Sequence, residues 1–172
     1  MSSLPTPRTP APDLSFDTID GDEWRMADQQ PDRFTMVVFY RGLHCPVCRG
    51  YLGELEDLLD DFASRGVDVV AVSGDNEERA RRAQSEWGLE QLTLGYGLEA
   101  DAMREWGLFV SSGIADDEPA EFGEPGLFLI EPDGRVFYGA VNSSPWGRPQ
   151  LEEVRGGVDF VVENDYPARG AA

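Results

Sequence analysis

The two cysteines of the chain, Cys45 and Cys48, enclose a proline and a valine at the boundary between two sequence patterns. The preceding run, residues 34–40, is apolar and β-rich, as in a strand buried on both faces. After it, apolar residues recur at helical spacing, namely Cys48, Tyr51, Leu52, Leu55, Leu58, Leu59 and Phe62. Pro46 suits a first helical turn, and Gly66 marks the helix end. The sequence therefore predicts a buried strand followed by a helix, with both thiols at the helix N-terminus.

The next segments predict a parallel unit built around this helix. Residues 67–72 form a second buried strand, and residues 73–76 can cap a helix that runs to Trp87 and ends at Gly88. A strand, a helix and a second parallel strand imply a right-handed crossover. A short strand at 92–94 and a short helix at 99–106 are predicted next.

Two hairpins are predicted near the ends of the chain. Residues 14–19 alternate, a turn follows at Asp20-Gly21-Asp22, and Trp24-Arg25-Met26 forms the returning strand. The second hairpin joins 127–130 to 135–138 through Glu131-Pro132-Asp133-Gly134.

The remaining segments set the domain limits. The polar stretch 111–124 predicts a surface loop, and Pro149 opens a final helix. A loose proline-rich leader at 1–12 and a tail at 166–172 flank one domain, 13–165. The predicted fold class is α/β, with a central mixed sheet flanked by helices and an N-terminal β-hairpin extension.

The net charge of the chain restricts the classes of molecule that it can bind. Asp and Glu number 33 against 14 basic residues, all of them arginine, so the net charge is −19. Such a surface repels phosphate backbones and anionic lipids, which argues against nucleic acid and membrane partners. An acid excess without lysine fits adaptation to a salty cytoplasm, where ions screen self-repulsion. An arginine-biased genome is the alternative, but it does not account for the acids.

The expected cellular compartment, reducing or oxidising, decides how the cysteine pair is interpreted. No run approaches the ~18–20 apolar residues of a membrane span, and the N-terminus lacks the apolar region of a secretory signal. We therefore expect a cytoplasmic, reducing location, which disfavours a structural disulfide. A zinc site needs about four ligands, and the chain offers two Cys and the single His44. Inert thiols are the third alternative to a redox-active pair, and no metal or organic cofactor is predicted.

Position on the helix assigns different roles to the two thiols. Cys48 belongs to the apolar stripe and should face inward, whereas Cys45 precedes the helix body and should be more exposed. Unpaired backbone N–H groups and the helix dipole favour a thiolate here, and Arg41 and Arg49 add positive potential. Cys45 is thus the predicted nucleophile and Cys48 the resolving thiol. His44 is interpreted as a solvated neighbour, with proton transfer as the alternative.

A late loop of unusual composition, Ser143-Ser144-Pro145-Trp146-Gly147-Arg148-Pro149, is a candidate site loop. Trp146 and Arg148 are its notable side chains. Packing on the surface is the alternative role for this tryptophan.

Three segments together resemble the alkyl hydroperoxide reductase / thiol-specific antioxidant (AhpC/TSA) family, in its peroxiredoxin-like form. They are residues 11–16, residues 37–48 with Tyr40 before the cysteine loop, and residues 125–134. The resemblance spans roughly residues 10–165 and implies a thioredoxin-like fold. By the family spacing Cys48 takes the peroxide-attacking position, Cys45 replaces a Thr or Ser, and Arg41 replaces a proline.

Position 125 departs from the family pattern. The family peroxidases carry an arginine before the Gly-Leu-Phe strand, and Pro125 stands there in this chain. A proline at this point resembles the cis-proline that faces the sulfurs in thioredoxins. Arg41 or Arg148 can substitute for the missing guanidinium only where the fold brings one of them near. Pro125 is therefore expected to be cis, and Cys45 to have the lower pKa.

The predicted function is thiol-dependent oxidoreduction through Cys45 and Cys48. The oxidised substrate is a disulfide or a hydroperoxide, and a thioredoxin-type or other thiol reductant restores the dithiol. One alternative is a true peroxiredoxin, with Cys48 peroxidatic and Cys45 resolving. A second is a redox sensor or partner-binding protein without turnover, and a homodimer is left open.

Overall fold

A central mixed sheet organises residues 4–172, the part of the chain that the computed structural model describes. Nine strands are present in these residues: β1 (Ser15–Thr18), β2 (Glu23–Arg25), β3 (Phe34–Phe39), β4 (Val67–Val72), β5 (Thr93–Tyr96), β6 (Val110–Ser112), β7 (Glu121–Gly123), β8 (Gly126–Ile130) and β9 (Val136–Val141). Four α-helices accompany them: α1 (Pro46–Ala63), α2 (Glu77–Trp87), α3 (Ala100–Glu105) and α4 (Leu151–Asn164). Seven strands form the main sheet in the order β2-β1-β5-β4-β3-β8-β9.

Strand β3 lies near the middle of this sheet and brings three chain segments to one edge. It pairs in parallel with β4, where Phe39 is opposite Val72, and antiparallel with β8, where Phe39 is opposite Gly126. The ends of β3 and β4 and the start of β8 therefore meet at the same edge. The cysteine segment leaves β3 there, which confirms the predicted strand-to-helix boundary.

Alternate side chains of β3 pack into two different cores, because helices or loops cover both faces of the sheet. Met36 and Val38 contribute to the core beneath α1, which also contains both cysteines. Val37 and Phe39 face the opposite core, with Trp106 among its members. This arrangement explains the unbroken apolar run and confirms an α/β fold with a mixed sheet flanked by helices.

Helix α2 begins and ends at the predicted signals. The Asn76 side chain accepts a hydrogen bond from the backbone N–H of Arg79 at 2.9 Å, as expected for an N-cap. Gly88 ends the helix with a φ of +69°, in the left-handed region that glycine adopts at low cost.

The hairpins agree with the sequence patterns, with small shifts at their ends. Strands β1 and β2 pair antiparallel, and β1 also pairs with β5, which attaches the N-terminal hairpin to the sheet. Strands β8 and β9 form the second hairpin.

The polar stretch 111–124 is more ordered than predicted. Strands β6 and β7 lie at its ends and form a separate two-stranded sheet, with Ser111 opposite Phe122. The interpretation of this stretch as a loop throughout was therefore wrong. The pattern was missed because β6 is short, polar and only partly buried.

The leader and the tail both touch the domain. Residues 1–3 of the predicted leader lie outside the described residues. Arg8 donates its backbone N–H to the carbonyl of Val136 at 2.8 Å, and Pro10 forms a bridge with Arg135. The Arg8 side chain also donates to the Ala168 carbonyl at 3.1 Å. From Arg8 onward, therefore, the leader is hydrogen-bonded to β9 and to the tail.

Residues 4–172 contain neither a membrane-spanning helix nor a cluster of metal-binding side chains. No helix in residues 4–172 has the length and apolar character needed to cross a membrane. Within the same residues, no group of three or more His, Cys, Asp or Glu side chains is placed to hold a metal ion.

The acid excess gives a testable consequence for stability. Most ion pairs in the described part of the chain are exposed, so they offset little of the repulsion from a net charge of −19. Because dissolved salt screens repulsion between surface carboxylates, we expect the melting temperature to rise by several degrees from low to molar NaCl. Thermal unfolding followed by circular dichroism measures this. A melting temperature that does not change with NaCl would contradict salt adaptation.

Candidate active site

Cys45 is the N-cap of α1. Its Sγ accepts a hydrogen bond from the backbone N–H of Cys48 at 3.1 Å, in place of the Ser, Thr or Asp oxygen usual at this position. Both cysteines are free thiols, and both are buried, with 1% of Cys45 and none of Cys48 exposed. The expectation that Cys45 would be exposed is therefore wrong. Helix position alone does not determine exposure, because the Cys45 side chain packs into the core cluster beneath α1.

Cys48 faces inward as predicted and meets an arginine from far along the chain. The Arg148 Nη2 lies 2.7 Å from the Cys48 Sγ. Arg148 belongs to the predicted site loop, just before α4. Its guanidinium lies over the Tyr51 ring, with the Cζ 4.7 Å from the ring centroid. The Tyr51 hydroxyl donates to the Pro149 carbonyl at 2.7 Å, which ties this loop to α1.

The pKa values of the two neighbouring thiols are shifted in opposite directions. A hydrogen bond from the Cys48 thiol is the main influence that lowers the pKa of Cys45 to about 6, and the Cys48 backbone N–H, Arg148 and Arg41 add to it. Burial is the main cause that raises the pKa of Cys48, which Arg148 opposes. The resting dithiol therefore holds one negative charge at neutral pH, on Cys45.

The lowered pKa of Cys45 leads to a prediction about pH. Ultraviolet thiolate absorbance of the reduced protein should rise through a midpoint near pH 6, because deprotonation of the pair gives the Cys45 thiolate. Cys48→Ala removes the thiol that donates to Cys45, so the midpoint should move upward. The absorbance of the oxidised protein, in which the thiols are joined, is subtracted to remove the contribution of tyrosine. An unchanged midpoint in Cys48→Ala would show that Cys48 does not influence Cys45.

Arg41 lies beside Cys45 and is held by a buried carboxylate. Its Nε lies 3.0 Å from a Glu124 oxygen as an ion-pair contact, and its Nη2 donates to the other oxygen at 3.3 Å. Ser111 donates its hydroxyl to the same carboxylate at 2.7 Å. The side chain of Glu124 is only 4% exposed, against 18% for Arg41. Arg41 also stacks over Phe122, and its hydrogen bond to Cys45 contributes to the lowered pKa of that thiol.

The loop between β3 and Cys45 is anchored by Asp75. This buried carboxylate accepts the backbone N–H of Leu43 at 2.8 Å and pairs with Arg79 at 3.0 Å. Gly42 has a φ of +138°, and a Cβ there would lie 2.7 Å from the Asp75 Oδ1. A side chain at position 42 therefore does not fit beside the carboxylate.

The sequence patterns did not indicate four residues of the site, namely Asp75, Glu124, Ser111 and Tyr51. The position of Asp75 could have been predicted from the sequence. Asp75 closely follows β4, and the ends of neighbouring parallel strands such as β3 and β4 meet at one edge of the sheet. The other three contacts depend on long-range packing.

His44 is not the solvated neighbour that was expected. Its ring packs edge-on against Phe122, with centroids 4.6 Å apart, and both ring nitrogens are buried without a hydrogen-bond partner in the described residues. Burial is the main cause that lowers the pKa of His44, followed by the positive charge of Arg41. The imidazole is therefore neutral at neutral pH.

Tyr40 and Trp146 occupy opposite environments. Tyr40 is buried in the core cluster that contains both cysteines, edge-on to Trp87, and burial raises its pKa. Trp146 is 69% exposed. Asn142 donates from its side-chain amide to the carbonyls of Trp146 and Gly147, which shapes the loop before Arg148.

The Pro125 prediction is wrong. No cis peptide bond occurs in residues 4–172, so the Glu124–Pro125 bond is trans. The backbone runs extended from β7 into β8: Glu124 donates its N–H to Phe109, and the Pro125 carbonyl accepts from Asn142. Pro125 is nevertheless buried at the sheet edge from which the cysteine segment leaves.

Comparisons with known proteins agree on one family. The sequence profile described as "AhpC/TSA family" matches residues 7–138. "Putative peroxiredoxin Rv2521" of Mycobacterium tuberculosis is 26% identical over 148 residues, which cover 83% of this chain and 88% of that relative.

Solved structures agree on the fold. A peroxidoxin, BcpB, from Mycobacterium tuberculosis superposes with a TM-score of 0.74 at 15% identity, over 92% of this chain and 99% of that one. A peroxiredoxin-like protein from Aquifex aeolicus gives a TM-score of 0.73 at 20% identity, over 92% of this chain and 88% of that one.

The fold is therefore thioredoxin-like, as the resemblance implied. The profile match extends over most of the chain and includes the cysteine segment. The chain belongs to the AhpC/TSA family and is a thiol-dependent oxidoreductase of the peroxiredoxin type.

Proposed function

We propose that Cys45 and Cys48 form the redox centre of a thiol-dependent peroxidase. A hydroperoxide oxidises the dithiol to a Cys45–Cys48 disulfide, and an external thiol, such as a thioredoxin-type protein, restores it. One observation carries this proposal. The two thiols lie at one helix start, where the Cys48 N–H donates to the Cys45 Sγ at 3.1 Å.

Burial of the thiols favours a small oxidised substrate over a protein disulfide. Thiol–disulfide exchange needs access of the attacking sulfur to the partner's disulfide. With 1% and 0% of the two cysteines exposed, neither sulfur is accessible to a protein substrate in this conformation. A hydroperoxide group is far smaller. A cleft of about 420 Å³ lies beside the site, with Val47, Tyr51, Trp146 and Arg148 among its lining residues.

The lowered pKa of Cys45 supports chemistry at neutral pH. A thiolate is the reactive form of a cysteine, and a pKa of about 6 keeps the pair charged above that pH. Because the second thiol is adjacent, an oxidised sulfur can be attacked without a second protein subunit.

The experiment compares two substrates under the same reductant. In one assay, purified protein with excess dithiothreitol is given hydrogen peroxide, and peroxide consumption is followed. In the other assay, it is given insulin, and precipitation of the reduced insulin is followed. We expect peroxide turnover that disappears in the Cys45→Ser/Cys48→Ser double variant, with little insulin reduction.

Other outcomes would favour the alternatives. Rapid insulin reduction without peroxide turnover would favour a disulfide reductase. Oxidation without multiple turnovers would favour a redox sensor.

A further inference from the structure

A groove lies between α4 and strand β9, at the edge of the main sheet. Its volume is about 950 Å³, within the range of small-molecule binding sites. Most of its lining residues are apolar, and they come from the sheet, from α4 and from the tail after α4. They include Phe34, Leu129, Phe137, Val154, Val158 and Val161.

Three aromatic side chains of the groove remain exposed to water. Tyr138, Phe160 and Tyr166 line the groove, and each is at least 37% exposed. Exposed apolar surface that is gathered at one place is typical of a binding site. A ligand in the groove would therefore remove aromatic surface from water.

Gly157 leaves the middle of the groove open. It lies inside α4, where glycine lowers helix stability relative to alanine. Val154, Gly157 and Val161 follow helical spacing and all line the groove, so they share one face of α4. A Cβ at Gly157 would meet no neighbouring group within 4 Å. The glycine thus keeps free a space that a larger side chain would occupy.

The charged residues of the groove favour an anionic ligand. In a chain with 33 acids and 14 arginines, the groove is lined by two arginines, Arg148 and Arg169, and by one acid, Glu153. Arg148 already contacts the Cys48 sulfur. Arg169 donates to the Tyr166 hydroxyl at 2.9 Å and pairs with no carboxylate in residues 4–172. Its guanidinium is therefore available to an external carboxylate.

The length of the groove matches an extended alkyl chain. The groove follows α4 from Arg148, before the helix, to Arg169, after it. The 14 residues of α4 span about 21 Å at the usual rise per residue. The hydrocarbon core of a bilayer is two acyl chains thick and measures about 30 Å, so one chain spans about 15 Å. One acyl chain therefore fits along the helix.

We propose that this groove binds one long-chain carboxylic acid, with the alkyl chain along α4 and the carboxylate at Arg169. The site does not depend on the proposed peroxidase function. A free acid is favoured over a membrane surface, because a net charge of −19 repels anionic lipid headgroups.

The test uses two neighbouring glycines of α4. Gly157→Leu places a side chain in the groove. Gly156→Leu is the matched control, because Gly156 is equally free of neighbouring groups but is not among the residues that line the groove. Binding of octanoate, decanoate and 1-decanol to the reduced full-length protein is measured by isothermal titration calorimetry, below the concentrations at which these compounds aggregate.

We expect decanoate to bind about 5- to 15-fold more tightly than octanoate, because two more CH₂ groups are buried. Gly157→Leu should weaken decanoate binding by about tenfold or more, since the side chain displaces the alkyl chain, whereas Gly156→Leu should stay within about twofold of wild type. Arg169→Met should weaken decanoate by about threefold and leave 1-decanol unchanged, because only the acid pairs with the guanidinium.

Four results would overturn the inference. They are equal decanoate affinities in Gly157→Leu and Gly156→Leu, equal binding of octanoate and decanoate to the wild type, and binding to phosphatidylglycerol vesicles without binding of the free acid. The fourth is a dimer in sedimentation that Gly157→Leu alone dissociates, because a second copy would then cover the groove. Thermal unfolding checks that each variant is folded. If Gly157→Leu does not fold, the comparison of decanoate with 1-decanol in Arg169→Met still decides.

Discussion

Replacing Cys48 by serine is expected to lower hydroperoxide reduction by on the order of 10³-fold or more, because we expect Cys48, which takes the peroxide-attacking position by the family spacing, to be the sulfur that attacks peroxide. The residual Cys45 cannot substitute fully, since the Arg148 guanidinium contacts the sulfur of Cys48. Peroxide consumption with excess dithiothreitol measures the effect. Unchanged unfolding by heat would show that the loss is chemical.

Cys45→Ser is the informative partner of this variant. It keeps Cys48 and Arg148, so peroxide should still oxidise Cys48 to a sulfenic acid, but no internal disulfide can form. Excess dithiothreitol can attack the sulfenic acid, and turnover should therefore fall less than in Cys48→Ser. Greater activity in Cys48→Ser than in Cys45→Ser would reverse the roles of the two thiols.

Glu124→Ala is expected to give the largest loss of stability among the site residues. It leaves Arg41, whose side chain is 18% exposed, without the carboxylate that neutralises it. Removing one partner of a buried ion pair typically costs about 3–5 kcal/mol, which lowers Tm by on the order of 10 °C for a chain of this size. Thermal unfolding of the reduced protein measures the change.

Glu86→Ala is the matched control for this prediction. Glu86 pairs with Arg82 on the surface of α2, with both side chains about half exposed. Loss of such a pair costs no more than about 0.5 kcal/mol. Similar Tm values for Glu124→Ala and Glu86→Ala would show that the buried pair does not hold this part of the site together.

The parts of the fold that could be predicted are those determined by local patterns. The apolar run of β3, the helical spacing after Cys45 and the glycine after α2 each have a local physical cause, and each predicted its element. The same spacing placed Cys48 inward. By contrast, β6 and β7 are three residues each and mostly polar, so they left no periodic signal.

The parts of the site that could not be predicted depend on tertiary contacts. Exposure of Cys45 was inferred from its place before the helix body, but its side chain packs into the core cluster that also contains Cys48. Pro125 was assigned a cis bond from its sequence neighbours, whereas the Glu124–Pro125 bond is trans. The contact between Arg148 and Cys48 joins residues 100 positions apart, and no short-range pattern indicates it.

The most direct test of the central claim is a titration of the reduced protein with one equivalent of hydrogen peroxide, without an external thiol. Free thiols are counted, and the product is mapped by mass spectrometry of its peptides. The account predicts that both thiols disappear together and that Cys45 and Cys48 are joined in a single chain. Two thiols that remain free, or a disulfide only between chains, would contradict it.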